Sequence, residues 1–229
     1  MQEKTGDDVV FNTLGATTSA RALVARVQQA WACEDFATGT LCTEPAFALH
    51  DFVLMAAVDP RLAAWASGGW QEQSLILSGG AGLGKTEFAC ALLHAVTPAH
   101  AYHFVNKIDR VRDISFGPGE GLLVDEVSLS SRDVDDAKAL VDVAKGRDIA
   151  CRNRDGFIPK GTARIFCTNW AWERFWPGAA GLAEHSIAIE RRVVWITVAA
   201  DLRNPRSQGS AAPTLPVVDH TQDAARGHA

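Results

Sequence analysis

From residue 74 onwards, short apolar runs alternate with stretches that have helical periodicity. The runs cover 74–79, 101–105, 121–125, 163–168 and 193–198. Each has the length of a buried strand, and helices are predicted over 85–96 and over the capped segment 130–146. Strands that alternate with helices predict an α/β fold of the P-loop type, with an open, mostly parallel sheet and helices on both faces.

The two ends of the chain differ from this central pattern. Between residues 18 and 66 the apolar positions have helical spacing, and Pro45 stands near a predicted first turn. We therefore expect a small helical bundle within 1–70, ahead of an α/β domain over 71–200. Beyond residue 200 there is no aromatic residue, and Pro, Gly, Ser and Gln are frequent, so 201–229 is predicted to be a disordered tail.

Composition and charge exclude several classes of protein. With 47% hydrophobic and 21% charged residues, the 229-residue chain has the composition of a soluble globular protein. It has no apolar run of membrane-spanning length and no signal-peptide pattern, so we expect an intracellular, soluble protein without a membrane partner. A net charge of −5 excludes a uniformly basic nucleic-acid coat. None of the five cysteines forms a CxxC pair, which favours reduced thiols.

The strongest motif is a glycine-rich loop between the first strand and its helix. Gly79, Gly84, Lys85 and Thr86 match G-x4-G-K-[ST], a loop whose backbone N–H groups wrap a phosphate. Lys85 would reach the β- and γ-phosphates, and the Thr86 hydroxyl would bind Mg²⁺. The alternative is a strand-to-helix turn that binds nothing. The predicted nucleotide-binding residues are Gly79, Gly80, Ala81, Gly82, Leu83, Gly84, Lys85, Thr86 and Glu87.

Two acids follow the strand at 121–125. Asp125 would hold Mg²⁺ through water, and Glu126 would polarise the attacking water as a general base. By itself, a strand that ends in two acids is a weak signal, because many strands end in a solvated acidic turn. Together with the phosphate loop 40 residues earlier, it predicts an enzyme that binds and hydrolyses ATP with Mg²⁺ as cofactor.

A cationic stretch and a polar strand end complete the set of candidate residues. Segment 145–164 has six cations against two acids, a net +4, and an Asp-Gly pair that predicts a hairpin. Arg152, Arg154 and Lys160 are the candidate nucleic-acid contacts, and a solvated basic loop is the alternative. Asn169 ends the next strand, where it could sense a γ-phosphate or be a simple turn residue.

These motifs resemble those of superfamily 3 helicases in order and spacing over residues 70–200. More narrowly, "TNWAWERFW" and "AIERRVVWITV" are similar to the helicase domain of replication initiator proteins from small circular single-stranded DNA viruses. The resemblance implies an AAA+-like homo-oligomer, a hexameric ring, that translocates 3′ to 5′ on single-stranded DNA, with RNA as the alternative strand. It also implies catalytic roles for Asp125, Glu126 and the sensor Asn169, and a trans-acting arginine finger at Arg192, helped by Arg191. A nuclear location is compatible with it.

The sequence departs from that family in two places. The hairpin has "RNRDG" where the family commonly has a lysine followed by glycines, so the cation that contacts the strand is not defined. No His-x-His pair occurs, and the only tyrosine, Tyr102, stands in a predicted strand. The segment before residue 70 is too short for the family's nicking domain and instead resembles its oligomerisation collar. We therefore expect no nicking by this chain.

Two other functions stay open at the level of sequence. One is a P-loop kinase for a small acceptor, which needs neither a cationic hairpin nor a neighbour's arginine. The other is a scaffold or relic ATPase that binds nucleotide without translocation. Trp170, Trp172 and Trp176 are interpreted as core residues rather than base-stacking platforms, and His103 as a core residue with a partner.

Overall fold

Six strands form one sheet in the computed structural model, which describes residues 40–53 and 55–204. The side chains of 40, 55, 56 and 179–184 are outside that description. The strands are β1 (Thr40–Cys42), β2 (Ser74–Ser78), β3 (Tyr102–Val105), β4 (Gly121–Val124), β7 (Arg164–Thr168) and β8 (Val193–Thr197). Their order is β1-β3-β4-β7-β2-β8, and every pairing is parallel except that of β1 with β3. Strands β5 (Arg147–Ile149) and β6 (Gly156–Ile158) form a separate antiparallel hairpin.

Helices cover both faces of the sheet. They are α1 (Met55–Val58), α2 (Pro60–Ala66), α3 (Lys85–Val96), α4 (Val134–Val141), α5 (Trp172–Phe175) and α6 (Ala179–Glu190), with 3-10 helices at Leu49–Asp51, Gly69–Gln71 and Ile108–Asp113. Along β2, Leu75 and Leu77 pack on the face with Phe88 of α3, whereas Ile76 packs on the face with Leu140 of α4. The alternation follows from the two-residue period of a strand. No described helix is long and apolar enough to span a membrane.

The predicted α/β class is confirmed, and all five predicted strands form with ends displaced by at most one residue. The helix predicted over 85–96 also forms. The helix predicted over 130–146 is shorter at both ends, because it begins at Val134 after the N-cap Asp133 and ends at Val141. Its last carbonyl groups are bound from elsewhere in the fold: Ser74 Oγ donates to Val141 O at 2.9 Å, and Arg164 Nη1 donates to Leu140 O at 2.7 Å. These long-range caps replace the next helical turn.

The segments before and after the α/β domain differ more from the prediction. The first helix of the expected bundle lies in residues 1–39, outside the described part of the chain. In the part that is described, the helix predicted around Pro45 is reduced to the 3-10 helix Leu49–Asp51 and the short α1, whereas the next predicted helix forms as α2. Strand β1, which was not predicted, precedes them and pairs with β3. The predicted tail begins too early, because Leu202 is only 2% exposed and its N–H bonds to Leu83 O at 3.0 Å. Residues 205–229 lie outside the description.

The predicted hairpin forms, but its turn is not at Asp155-Gly156. Ile149 pairs with Gly156, so the tip consists of residues 150–155 and Gly156 belongs to the strand. A Cβ on Gly156 would lie 2.7 Å from Arg112 N, which is closer than any real contact. The glycine is therefore needed because the hairpin packs directly on the backbone of the 3-10 helix Ile108–Asp113.

Candidate functional site

A buried lysine lies at the centre of the site. Lys85 begins α3 and is only 7% exposed. Its Nζ donates to Gly79 O at 2.9 Å, to Gly80 O at 2.6 Å and to Asn169 Oδ1 at 3.0 Å. All three acceptors are formally neutral, so the positive charge has no carboxylate partner among these bonds. An anionic ligand in the loop would therefore meet an ammonium group that is already in position.

The loop that precedes Lys85 is shaped by the end of β2. Gly79 has φ 155°, and a Cβ there would lie 2.4 Å from Val198 O. No residue with a side chain fits, because the chain must turn against the neighbouring strand. The following backbone is thereby directed over the start of α3, whose N–H groups and dipole favour a phosphate.

A hydroxyl and a carboxylate meet beside the loop. Thr86 Oγ1 lies 3.0 and 3.1 Å from the two carboxylate oxygens of Asp125, which follows β4. Burial raises the pKa of the Asp125 carboxyl, while the Thr86 hydrogen bond opposes the rise. These are hard oxygen donors of the kind that Mg²⁺ accepts, and Mg²⁺ commonly completes its shell with water and substrate phosphates. Within 40–53 and 55–204, no three His, Cys, Asp or Glu side chains form a metal cluster by themselves.

Glu126 has an unusual backbone. Its φ is 51°, in the left-handed region that residues with a side chain seldom adopt, and its side chain is exposed. The flanking backbone is bonded to neighbouring strands, since Asp125 N donates to Val105 O and Val127 N donates to Cys167 O. The turn is thus held at both sides, and the carboxylate is presented at the mouth of the site.

The strand order brings Asn169 to the loop. Strand β7 lies between β2 and β4, so the residue that follows it stands between the phosphate loop and the two acids. The carboxyl ends of parallel strands are where open sheets of this kind bind their ligands. Lys85, Asp125, Glu126 and Asn169 line one cavity of about 150 Å³. Thr86, Asp125 and Glu126 also border a second cavity of about 300 Å³, whose floor includes Tyr102 and Phe104.

Arg203 also lines the smaller cavity and has no motif in the sequence to indicate it. Its Nη2 donates to Gly82 O at 2.6 Å. The residue lies in the segment that was predicted to be disordered. Two neighbouring residues could have indicated that the segment packs on the domain. Asp201 offers an acid to pair with Arg203, and Leu202 is an isolated apolar position.

Arg192 is placed far from its own phosphate loop. It precedes β8, and its carbonyl accepts from Ser74 N at the start of β2, whereas the loop follows the end of β2. Five strand residues separate the two positions, which is roughly 17 Å. The guanidinium forms an ion pair with Asp142, with Nε to Oδ2 at 3.5 Å. Arg191 is exposed.

The three candidate nucleic-acid contacts lie in two groups. Arg152 and Arg154 are at the hairpin tip, and Lys160 follows β6 at the base; all three are exposed. Arg154 Nη2 is held by Arg112 O at 2.9 Å and by Asp113 at 3.3 Å, which fixes it against the 3-10 helix. Sequence reasoning missed Phe157, which is 54% exposed between the two groups. The sequence could have indicated this exposure, because side chains alternate between the two faces of a strand and both neighbours of Phe157 in β6 are buried.

The residues that were predicted to lie in the core differ in their burial. His103 is 6% exposed, and its Nε2 lies 2.8 Å from Glu120 Oε2, as expected of a core histidine with a partner. Trp176 is 1% exposed and packs edge-on against Trp172. Trp170 is 45% exposed, so its assignment to the core is wrong. The chain has already left β7 at that point, and Trp170 borders a surface cavity together with Glu173 and Arg174.

Comparisons with known proteins add little to this geometry. No family model matches the chain, and no curated protein matches it. Among solved structures, a crystal structure of NtrX from Brucella abortus in complex with ADP is similar, with 14% identity and a TM-score of 0.43. The match covers 86% of this chain and 46% of the other, so the chain spans about half the length of that protein. The P-loop assignment therefore comes from the motif and its position between β2 and α3.

The raised pKa of Asp125 leads to a test of the ligand-free site. A carboxyl whose pKa is raised by folding stabilises the folded state at pH values below its unfolded-state pKa, which is about 3.9 for aspartate. This contribution is lost as the pH rises through the folded-state pKa. We expect Asp125→Asn to raise the melting temperature at pH 7 in the presence of EDTA, with a gain that shrinks towards pH 3.5. Asp155→Asn at the exposed hairpin tip is the control. A lower melting temperature for Asp125→Asn at pH 7 would contradict this electrostatic description.

Proposed function

We propose that this protein hydrolyses ATP with Mg²⁺ and works as a ring-forming motor on single-stranded DNA. The observation that carries the proposal is the convergence of Lys85, Asn169 and Asp125 at the ends of three neighbouring parallel strands. Burial of an ammonium group among neutral acceptors costs free energy, and an anionic ligand would compensate that cost, whereas a loop that binds nothing would not. The cationic hairpin and Arg192 support the narrower assignment to a motor.

The chain's own residues divide the work of hydrolysis. Lys85 would exchange the loop carbonyls for phosphate oxygens, and the loop N–H groups would hold the same phosphates. Thr86 and Asp125 would hold Mg²⁺, which neutralises charge on the phosphates when it is bound. Glu126 would accept a proton from the attacking water, and Asn169, already bonded to Lys85, would orient that water or the γ-phosphate.

The position of Arg192 supports action on a neighbouring copy. An arginine at the opposite edge of the sheet cannot reach its own loop, but a head-to-tail arrangement can present it to the next subunit. The ion pair with Asp142 must break before Arg192 can reach another subunit, because the carboxylate otherwise holds the guanidinium within its own chain. A P-loop kinase would leave both the hairpin and this distant arginine without a role.

The surface charge supports a strand-binding role for the hairpin. Arg152 uses only its backbone in the described bonds, since Arg152 N donates to Asp109 and Arg112 donates to Arg152 O. Its side chain and that of Lys160 make no described hydrogen bond or ion pair, so both can contact phosphates. The exposed ring of Phe157, which stands between them in the sequence, offers a surface for base stacking.

Mixing inactive variants tests the shared active site. Glu126→Gln and Arg192→Ala should each abolish most ATPase activity, and an equal mixture should recover part of it. Recovery is expected because some interfaces then pair an intact acid with an intact arginine. A finger of this kind changes the rate by about 10³–10⁵-fold. The rate per subunit should also rise with protein concentration.

The same assay separates the alternatives. A rate that is independent of concentration and of Arg192, with no effect of single-stranded DNA, would contradict the ring and favour a kinase. Nucleotide binding without turnover would instead favour a scaffold. Asp135→Asn, at an exposed carboxylate on α4, is a control that should keep the wild-type rate.

Salt dependence tests the hairpin contacts. We expect Arg152→Ala and Lys160→Ala each to reduce the slope of log K against log salt for single-stranded DNA by about 0.7, because each removes one phosphate contact. Arg61→Gln, which changes an exposed cation paired with Asp59, is the control. Equal slopes for wild type and both hairpin variants would show that the strand binds elsewhere.

A further inference from the structure

The chain that follows β8 crosses the phosphate loop and is bonded on both sides. Leu202 N donates to Leu83 O at 3.0 Å, while Leu202 O accepts from Val53 N at 2.8 Å. Asn204 N donates to Asp51 O at 2.8 Å. Residues 201–204, which we term the strap, are therefore fixed between the phosphate loop and the segment that precedes α1. A side chain on the strap has a defined position relative to bound phosphates.

Arg203 is the strap residue that reaches the cavity. Its aliphatic stem packs on the loop so closely that a Cβ on Gly84 would lie 3.2 Å from Arg203 Cγ. The guanidinium has five N–H donors. Three are used: Nε and Nη2 donate to the two oxygens of Asp201, both at 2.9 Å, and Nη2 also donates to Gly82 O. The two N–H groups of Nη1 make no bond within the described residues.

The strand order fixes the side from which Arg203 approaches. Strand β2, which leads into the loop, lies between β7 and β8. Asn169 follows β7 and Arg203 follows β8, so the two residues flank the loop from opposite sides. Asn169 is bonded to Lys85 and stands next to the two acids, on the side where hydrolysis would occur. Arg203 is on the other side, over Gly82.

We propose that Arg203 is a second cationic ligand of the nucleotide, in the same chain as Lys85, and that it binds the phosphates common to ADP and ATP. This inference rests on the proposed nucleotide binding. Asp201 balances the charge of the guanidinium while the loop is empty, and the backbone bonds of Leu202 and Asn204 hold the strap in place. When phosphates enter, Nη1 supplies two charge-assisted hydrogen bonds without any movement of the strap.

A clamp that only shapes the loop would have the same contacts, and charge substitutions distinguish the two roles. If Arg203 is a ligand, removing the charge of Asp201 leaves its cation free for the phosphates, and ADP should bind as well or better. If the Asp201–Arg203 pair only holds the loop, the same change should weaken binding. Asn at position 201 keeps the acceptor oxygen for Arg203 N, which now donates to Asp201 Oδ1 at 3.0 Å.

The test is the dissociation constant of ADP and of ATP by calorimetry, with melting temperatures to verify folding. Arg203→Gln should weaken both nucleotides about tenfold, the size of one lost charged contact. Arg203→Lys should recover most of this loss, and Asp201→Asn should bind ADP at least as tightly as wild type. Arg61→Gln is a matched control, because Arg61 forms the same pair with an acid two residues earlier, Asp59, away from the loop.

Each contrary result has a defined meaning. Unchanged ADP affinity in Arg203→Gln, with wild type binding normally, would overturn the role of Arg203 alone. Weakened binding in Asp201→Asn, or no recovery in Arg203→Lys, would overturn it in favour of a loop clamp. A wild-type protein that binds neither nucleotide would overturn the proposed function, and this inference with it.

Discussion

The site depends on the burial of one ammonium group among neutral acceptors. Lys85 is held by two carbonyls of its own loop and by the amide of Asn169, which joins the loop to the neighbouring strand. Burial of a charge whose hydrogen-bond acceptors are all neutral costs free energy, and the three hydrogen bonds offset part of that cost. A phosphate would offset the remainder. The arrangement is therefore stable enough to persist and is poised for an anion.

Different groups of charged residues lie at the two ends of the parallel strands. At the carboxyl ends of the strands lie the loop, the two acids and Asn169, to which the proposed function assigns hydrolysis. At the amino ends lies the cluster of Arg147, Arg164 and Arg192 around the buried Asp142, whose pKa is lowered although burial opposes the shift. Burial lowers the pKa of Arg164 to about 10. An assembly that stacks these two ends of the strands against each other would bring Arg192 of one copy to the phosphate loop of the next, as the proposed function requires.

The sequence predicted the strands, α3 and the phosphate loop because each is specified by neighbouring residues: an apolar run, a glycine pattern and a cap. The end of α4 could not be predicted in this way, since Arg164 and Ser74, distant in sequence, bind its last carbonyls. The same holds for Gly156, which is small because another backbone lies against it, and for Arg203, which contacts the phosphate loop from a segment of tail-like composition. Local patterns indicate elements, whereas these positions depend on which elements meet.

The most direct measurement is the affinity for Mg²⁺–ATP of wild type and of Lys85→Met, which keeps an unbranched side chain one atom shorter and removes the charge. The account predicts that wild type binds and that Lys85→Met, folded to the same melting temperature within a few degrees, binds at least about 100-fold more weakly. Equal binding by the two proteins, or none by wild type, would contradict the claim that a buried lysine awaits a phosphate.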